Sequence, residues 1–549
     1  MIEKYEPKFV SVLREGYGLQ RFRADAIAGL TVAIVALPLS MAIAIASGVT
    51  PDRGLFTAIV GGFLVSAFSG SRHQIGGPAG AFIVLVAATV SRHGVEGLIL
   101  ATALSGFFLI IAGTLRLGTY IKFIPYPVTV GFTAGIAVII FSSQISELLG
   151  LTLPGKEPGP LIEKLVVLAG AWRTLNPSAV GVTLLTILTI LLLRRYRPHW
   201  PGMLIAVGVA SVSVTLLQLP IATIGSRFGG IPRTLPLPSA PSFSFDLLIA
   251  ILPDAIAFAL LGAIESLLSA VVADGMTGRR HRSNVELIGQ GVANVGSALF
   301  GGICVTGTIA RTATNVRAGA TSPVSGMLHA LFLLLFMLIA APLAAYIPLA
   351  ALAGVLAIVA WNMVERPAFA ALLRTSSGDA AVLLVTFLLV IFRDLTEGIV
   401  IGFALGALLF IGRMSKAVTV APHEDTNKTE RPLDQSDEDT VVYRISGAFF
   451  FGAAATVGSV LDRIADQYRN FVLDCSEIFF MDSTAANVIE GTVRKAEKAG
   501  VSVYIAGAGP ELRRLLETHE MKAPRVTYVD RVAEARAAIA AARTATLSS

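Results

Sequence analysis

Ser71-Arg-His-Gln-Ile-Gly-Gly-Pro-Ala-Gly80 is followed by a helix-like apolar run, Ala81 to Val90, too short to cross a bilayer alone. A second stretch repeats the pattern: Gly301-Gly-Ile-Cys-Val-Thr-Gly-Thr308 precedes another short run that begins near Ile309. Spanning a hydrocarbon core takes about 20 residues of helix. Non-helical backbone at membrane depth survives only where protein covers it or where it lines a cavity, because an unpaired amide in lipid costs several kcal/mol. Short, Gly/Pro-interrupted segments at corresponding places in two halves therefore mark a site at mid-depth. Two ordinary kinked helices are the alternative reading.

The chain around these stretches has 549 residues, 54% hydrophobic and only 15% charged, where a soluble protein carries roughly 25% charged residues. This sets a polytopic α-helical membrane protein, with about fourteen segments between Asp25 and Gly412. If seven end near Leu217 and seven begin near Asp246, the odd number makes the two halves an inverted repeat. Expected divisions are an N-terminus at 1–24, a first repeat at 25–220, a second at 221–415, a polar linker at 416–439 and a soluble domain at 440–545. In the last, Val441 to Ile445, Phe471 to Asp474 and Val501 to Ala506 read as strands alternating with helical patterns, hence a small α/β domain.

The net charge of +6 comes from Lys and Arg in short clusters between apolar runs, such as Arg194-Arg-Tyr-Arg197 and Arg279-Arg-His-Arg282. They read as topology signals that put both termini in the cytoplasm, and not as a nucleic-acid surface. Met1 to Gln20 lacks the pattern of a cleaved signal. Cys304 and Cys475 lie in an apolar segment and in the soluble tail, so neither a disulfide nor a metal site is expected. No nucleophile–base pair or phosphate loop supports an enzyme, and no cofactor is implied.

Glu265 sits in a long apolar run bounded by Asp254 and Asp274, about 16 Å and about 14 Å away at the helical rise. That places it at the midplane, where a carboxylate must face a cavity, find a partner or take up a proton. Ser269 lies one turn on, on the same face. Arg311 falls in the first turn of the second short helix, where its charge adds to the amides of Thr308, Ile309 and Ala310. The turn Gly77-Pro78-Ala79-Gly80 aims a second helix N-terminus at the same spot. Two converging positive ends favour an anion. The alternatives are a snorkelling Arg311 and a Glu265 that bonds between helices. His329, alone in an apolar run, reads as a satisfied packing histidine.

These residues carry a resemblance. Leu261-Gly-Ala-Ile-Glu-Ser-Leu-Leu-Ser-Ala-Val-Val-Ala-Asp-Gly-Met-Thr277, Asn284 to Gly291, Ile309-Ala-Arg-Thr-Ala-Thr-Asn-Val-Arg-Ala-Gly-Ala-Thr-Ser-Pro323, Leu37-Pro38 with Met41-Ala42, and Ser71-Arg72 with Gly77-Pro78 look like bacterial members of the sulfate permease family, also called solute carrier family 26. The likeness is nearest to the C4-dicarboxylate-type member. It implies fourteen segments in two inverted repeats, core and gate domains, a substrate held between the third and tenth helix N-termini, a homodimer and an inner-membrane location. Leu39 and Met41 join the substrate site on the same ground. Many members carry Gln where this chain has Leu39.

The tail is similar to the family's STAS domain, which suggests a cytoplasmic partner. In it Met481-Asp482-Ser483-Thr484 falls where related proteins carry a phosphorylated serine. Sodium-coupled bicarbonate members place Asp at the Glu265 position and Thr at Ser269 and Ile309. A missing hydroxyl at Ile309 removes an oxygen ligand that sodium needs, whereas Glu can take a proton. The expectation is proton symport of a small anion by alternating access, with dicarboxylate, sulfate and bicarbonate all open. A sodium-coupled bicarbonate transporter, an anion channel and a membrane-tethered signalling protein are the alternatives.

Overall fold

Residues 5–121, 125–155, 157–198, 200–393, 395–422, 439–464 and 468–547 are described by a computed structural model. Most of the expected linker, 423–438, lies outside them. The chain divides into two compact units, Met1–Phe403 and Ala404–Ser549.

The first unit is helical. Its first half holds α1 (Leu19–Ala46), α2 (Pro51–Phe56) continued through a π-turn at Thr57–Gly61 into α3 (Gly62–Phe68), a two-residue strand β1 (Gly76–Gly77), α4 (Ile83–Thr114), α5 (Tyr126–Leu149), α6 (Pro177–Tyr196) and α7 (Gly202–Leu216). The second half holds α8 (Phe245–Thr277), α9 (Ser283–Leu299), β2 (Thr306–Gly307), α10 (Ile309–Arg317), α11 (Val324–Ala344), α12 (Leu349–Met363), α13 (Ser377–Phe392) and α14 (Leu395–Lys416), the last running on past Phe403. Gly94 interrupts α4 with φ 69° and ψ −172°, a conformation only glycine adopts freely. With that break counted, the described residues form seven segments in each half. Among the described residues eight helical stretches are long and apolar enough to cross a membrane.

The short segments fall where the sequence places them. The run that starts at Gly80 ends at the Gly94 break, and α10 is nine residues long, about 14 Å of helix and half a bilayer. Extended backbone covers the remaining depth. There β1 and β2 pair antiparallel, Gly76 with Gly307 and Gly77 with Thr306. Antiparallel pairing of corresponding strands is what two halves of opposite orientation produce. It also satisfies the backbone groups that the broken helices leave free.

Packing sorts the helices into two groups. α1 lies against α11, α4 against α9 and α8, and α8 against α10, while α5 packs on α12 and α13, and α6 on α7 and α12. The α4/α9 crossing is set by small residues. A methyl on Gly106 would stand 2.6 Å from Gly291 O and 3.0 Å from Val295 N, and one on Gly113 would stand 2.6 Å from Asn284 O. Only glycine lets the two backbones approach this closely.

The second unit contains a five-stranded sheet of order β3-β4-β5-β6-β7, with β3 at Thr419–Pro422, β4 at Thr440–Phe449, β5 at Asn470–Met481, β6 at Ser502–Ala506 and β7 at Thr527–Val529. β3 runs antiparallel to β4 and the others are parallel. Helices α15 (Phe451–Ile464), α16 (Ser483–Lys498), α17 (Pro510–Thr518) and α18 (Val532–Leu547) complete it. The sheet therefore begins at Thr419, inside the stretch read as linker. Its polar flank hides Val418 and Val420, which pack on the domain core.

A candidate anion site at two facing helix ends

Arg311 is 2% exposed on the first turn of α10. Its Nη2 donates to Ser40 Oγ of α1 at 3.1 Å and to Pro78 O at 3.3 Å. Nε and Nη1 have no partner among the described residues. The guanidinium is thus held between the two half-helices, and it does not snorkel. Gly77 makes room for it, since a methyl there would fall inside contact distance of Arg311 Nη1. A buried guanidinium with two unserved nitrogens, three N–H bonds in all, is a ready receptor for an oxyanion.

The N-terminal residues of α10 keep an opening: Thr308 is buried at 8% exposure, Ile309 is half-buried and Ala310 is exposed. Across from them Pro78 and Ala79 are buried and Gly80 is half-buried. Gly80 is flanked by Ile140 of α5 and Met363 of α12, 3.3 Å and 3.7 Å from where its methyl would stand. Residues of the second helix group therefore close one side. Leu39 and Met41 lie in the same apolar cluster as Ala79 and Phe82. The polar group α1 contributes is Ser40, between them, which the sequence reading passed over.

Glu265 is 7% exposed on α8 and makes no hydrogen bond or ion pair among the described residues. The residues a turn to either side of it are tied to the second short segment: Thr306 Oγ1 donates to Gly262 O at 3.2 Å, and Ser269 Oγ to Thr312 Oγ1 at 3.0 Å. The face of α8 that carries Gly262, Glu265 and Ser269 is therefore turned toward β2 and α10. Thr312 Oγ1 in turn accepts from Ile75 N at 3.1 Å. Asp254, used as an interface marker, is an ion-pair partner of Arg92 at 2.6 Å.

Sequence reasoning missed a buried polar stripe on α9. Glu286, Gln290, Asn294 and Ser297 recur at helical spacing and are all buried. Asn294 accepts from Val305 N at 3.1 Å and donates to Val305 O at 2.9 Å, and Ser297 donates to Ile303 O at 2.7 Å. These side chains hold the extended segment before β2. The period-four repeat of amide and carboxylate residues in an apolar helix was the available signal. His329 departs from expectation: it is fully buried, but neither ring nitrogen has a partner among the described residues.

In the second unit, Ser483 is exposed at the first position of α16. The preceding Asp482 caps that helix, accepting from Ala485 N at 2.9 Å.

A helical membrane fold in which two broken segments meet end to end around a buried arginine is a membrane-transporter fold. The Sulfate permease family matches residues 22–386 and the STAS domain residues 431–535. The chain is 40% identical over 506 residues to "Putative sulfate transporter YvdB" of Bacillus subtilis (strain 168), covering 91% of this chain and 94% of the relative. It is 32% identical over 522 residues to "Bicarbonate transporter BicA" of Picosynechococcus sp., covering 91% of each. Murine Solute Carrier 26 family member A9, solved in the inward-facing state, shares the fold with a TM-score of 0.86 at 17% identity, over 97% of this chain and 94% of that one. The transmembrane domain of a cyanobacterial BicA gives a TM-score of 0.62 at 31% identity, over 71% and 98%. The chain belongs to the sulfate permease family, whose members are membrane transporters and not enzymes.

Proposed function

We propose that the protein is a secondary active transporter of a small oxyanion, sulfate or a C4-dicarboxylate such as fumarate or succinate, driven by proton symport. The anion sits between Gly77–Gly80 and Thr308–Arg311. The observation that carries this reading is the buried Arg311 guanidinium, with Nε and Nη1 unserved beside two helix N-termini. The anion takes these hydrogens together with backbone amides, and its exchange between the two helix groups moves it across the bilayer.

Glu265 is the proton carrier. A carboxylate enclosed at mid-depth with no cation beside it is stabilised by taking up a proton, and that proton travels with the anion. A sodium site at the same place would need several oxygen ligands. Ile309 offers no side-chain oxygen. The protein acts as a homodimer in a bacterial inner membrane with both termini cytoplasmic. The STAS domain receives a cytoplasmic partner, and a phosphate on Ser483 would be favoured by the N-terminus of α16.

The test is uptake of labelled sulfate, fumarate and bicarbonate into proteoliposomes, with a proton or a sodium gradient imposed separately. Proton-driven accumulation of sulfate or fumarate that is lost in Glu265→Gln supports the reading. Sodium-driven bicarbonate uptake that survives Glu265→Gln replaces it with bicarbonate transport, the activity for which the Picosynechococcus relative is named. Flux that never exceeds equilibration makes the protein a channel.

A further inference from the structure

Glu286 is fully buried on α9, and its Oε1 lies 3.0 Å from Ser266 Oγ of α8. The same hydroxyl lies 3.2 Å from Gln290 Oε1 and accepts from Gln74 Nε2 at 2.8 Å. Both amide orientations are fixed at their other contacts. Gln290 Nε2 donates to Val305 O, and Gln74 Nε2 also donates to Ser266 O at 3.2 Å. Turning either amide over would set oxygen against oxygen. Ser266 therefore has one hydrogen to give and two oxygens within reach. Gln290 Oε1 carries no hydrogen. Glu286 supplies the missing one as a carboxylic acid, donating to Ser266 Oγ while Ser266 donates to Gln290. Every hydrogen and both lone pairs of the Ser266 hydroxyl are then used.

We propose that Glu286 is a proton-binding site separate from Glu265, filled in this conformation, whose proton closes the network that joins α8, α9 and the two crossing strands. Gln74 stands two residues before β1 and Val305 one before β2, so this hydrogen positions the backbone on which the facing helix ends rest. Glu286 is a positioning residue, acting through Ser266 and Gln290. The proposal holds whether or not Glu265 carries a coupling proton.

The surroundings fit an acid without its charge. Beside Oε2 stand the Ser69 hydroxyl and the Gly70 and Ser71 amides, donors that would favour an anion, but among the described residues none makes a hydrogen bond of ordinary geometry to it. Most ionisable groups on the elements packed around it are engaged elsewhere or uncharged; Lys8, whose backbone N–H donates to Ser69 O at 3.0 Å, and Glu96 of α4 are among the others, and neither forms an ion pair with it. Arg282, one turn earlier, binds Ser11 Oγ at 3.1 Å; Arg92 and His93 of α4 face Asp254; Arg72 pairs with Glu15. His73 is buried without a partner, Glu265 precedes Ser266 on α8, and α2, α3 and the π-turn bring only Asp52 and Arg53, with Arg53 bound to Gly301 O at 2.6 Å. Among the described residues no ion pair reaches Glu286 to offset a charge there.

The full-length protein in lipid is measured by infrared difference spectroscopy at neutral pH, as wild type, Glu286→Gln and Glu265→Gln. A protonated-carboxyl C=O band that is lost in Glu286→Gln and persists in Glu265→Gln supports the proposal. Loss of a carboxylate band instead, with the protonated band unchanged, overturns it. Uptake gives a second reading, because the Gln amide can donate the same hydrogen. Glu286→Gln should stay within about twofold of wild type while Glu286→Ala loses about tenfold or more. A folded Glu286→Gln protein as inactive as Glu286→Ala would show that the charge is required, and would overturn it. If Glu286→Ala does not fold, the spectra alone decide.

Discussion

Substituting Gly77 by Ala tests the seat of Arg311. The added methyl meets the far end of a flexible side chain, while the nearest backbone atom, Ala58 Cα, is 3.9 Å away. The fold should therefore survive and the guanidinium should move, by about 1 Å if ordinary contact is to be restored. A shift of that size takes the 3.1 Å and 3.3 Å bonds to Ser40 and Pro78 beyond hydrogen-bonding distance. Bonds made by a charged group are worth about 1.5–3 kcal/mol. Losing that much pre-positioning weakens anion binding by about 10- to 100-fold, at about 1.4 kcal/mol per factor of ten. The assay is KM for anion uptake in proteoliposomes, with the melting temperature measured alongside. A raised KM at unchanged melting temperature is the expected result. A KM within about twofold of wild type would refute the role given to Gly77 and, through it, the position of Arg311 as the anion receptor.

Four further outcomes follow from the same geometry. Gly106→Ala and Gly291→Ala drive a methyl into backbone at the α4/α9 crossing, so each should cost about 1–3 kcal/mol, read as a lower melting temperature. Asp25 is fully buried and accepts from Tyr17 at 2.7 Å, Thr321 N at 2.6 Å and Ser322 N at 3.2 Å; Asp25→Ala leaves these donors unserved at about 1–3 kcal/mol each and should abolish folded protein in detergent. Burial pushes the Cys475 thiol up to about 12, so alkylation at neutral pH should reach it only after unfolding. Burial raises the Asp474 carboxyl, but bonds from Ser476 and Arg444 outweigh it and hold the group below the usual range. Its stabilisation is present above the unfolded carboxylate value and lost as pH falls through the depressed one. Asp474→Asn should therefore speed hydrogen exchange in the sheet at neutral pH and matter little in strong acid.

The re-entrant segments were legible because backbone physics leaves few options for Gly/Pro-rich chain inside a bilayer, and Arg311 and Glu265 stood out because a charge there is rare. Ser40, Gln74 and Ser266 were not legible. Each is an ordinary polar residue until a partner more than 190 positions away is brought to it, as Gln74 is to Ser266 and Ser40 to Arg311. Glu286 was visible as a residue, but its meaning depends on the number of hydrogens available to Ser266, which only the fold reveals. The first sheet strand at Thr419 was masked by polar neighbours, since a strand paired on one side needs few apolar residues to hold it.

The pairing of β1 with β2 has a consequence for how the polypeptide can be divided. Each half of the membrane unit owns one strand, and neither can cap its own exposed amides within lipid. A chain cut between 217 and 244 and expressed as two pieces would present two incomplete folds, each carrying a half-finished ladder. Neither piece should persist by itself, and co-expression should recover both, because the seam between them is made of main chain and is completed only when both are there.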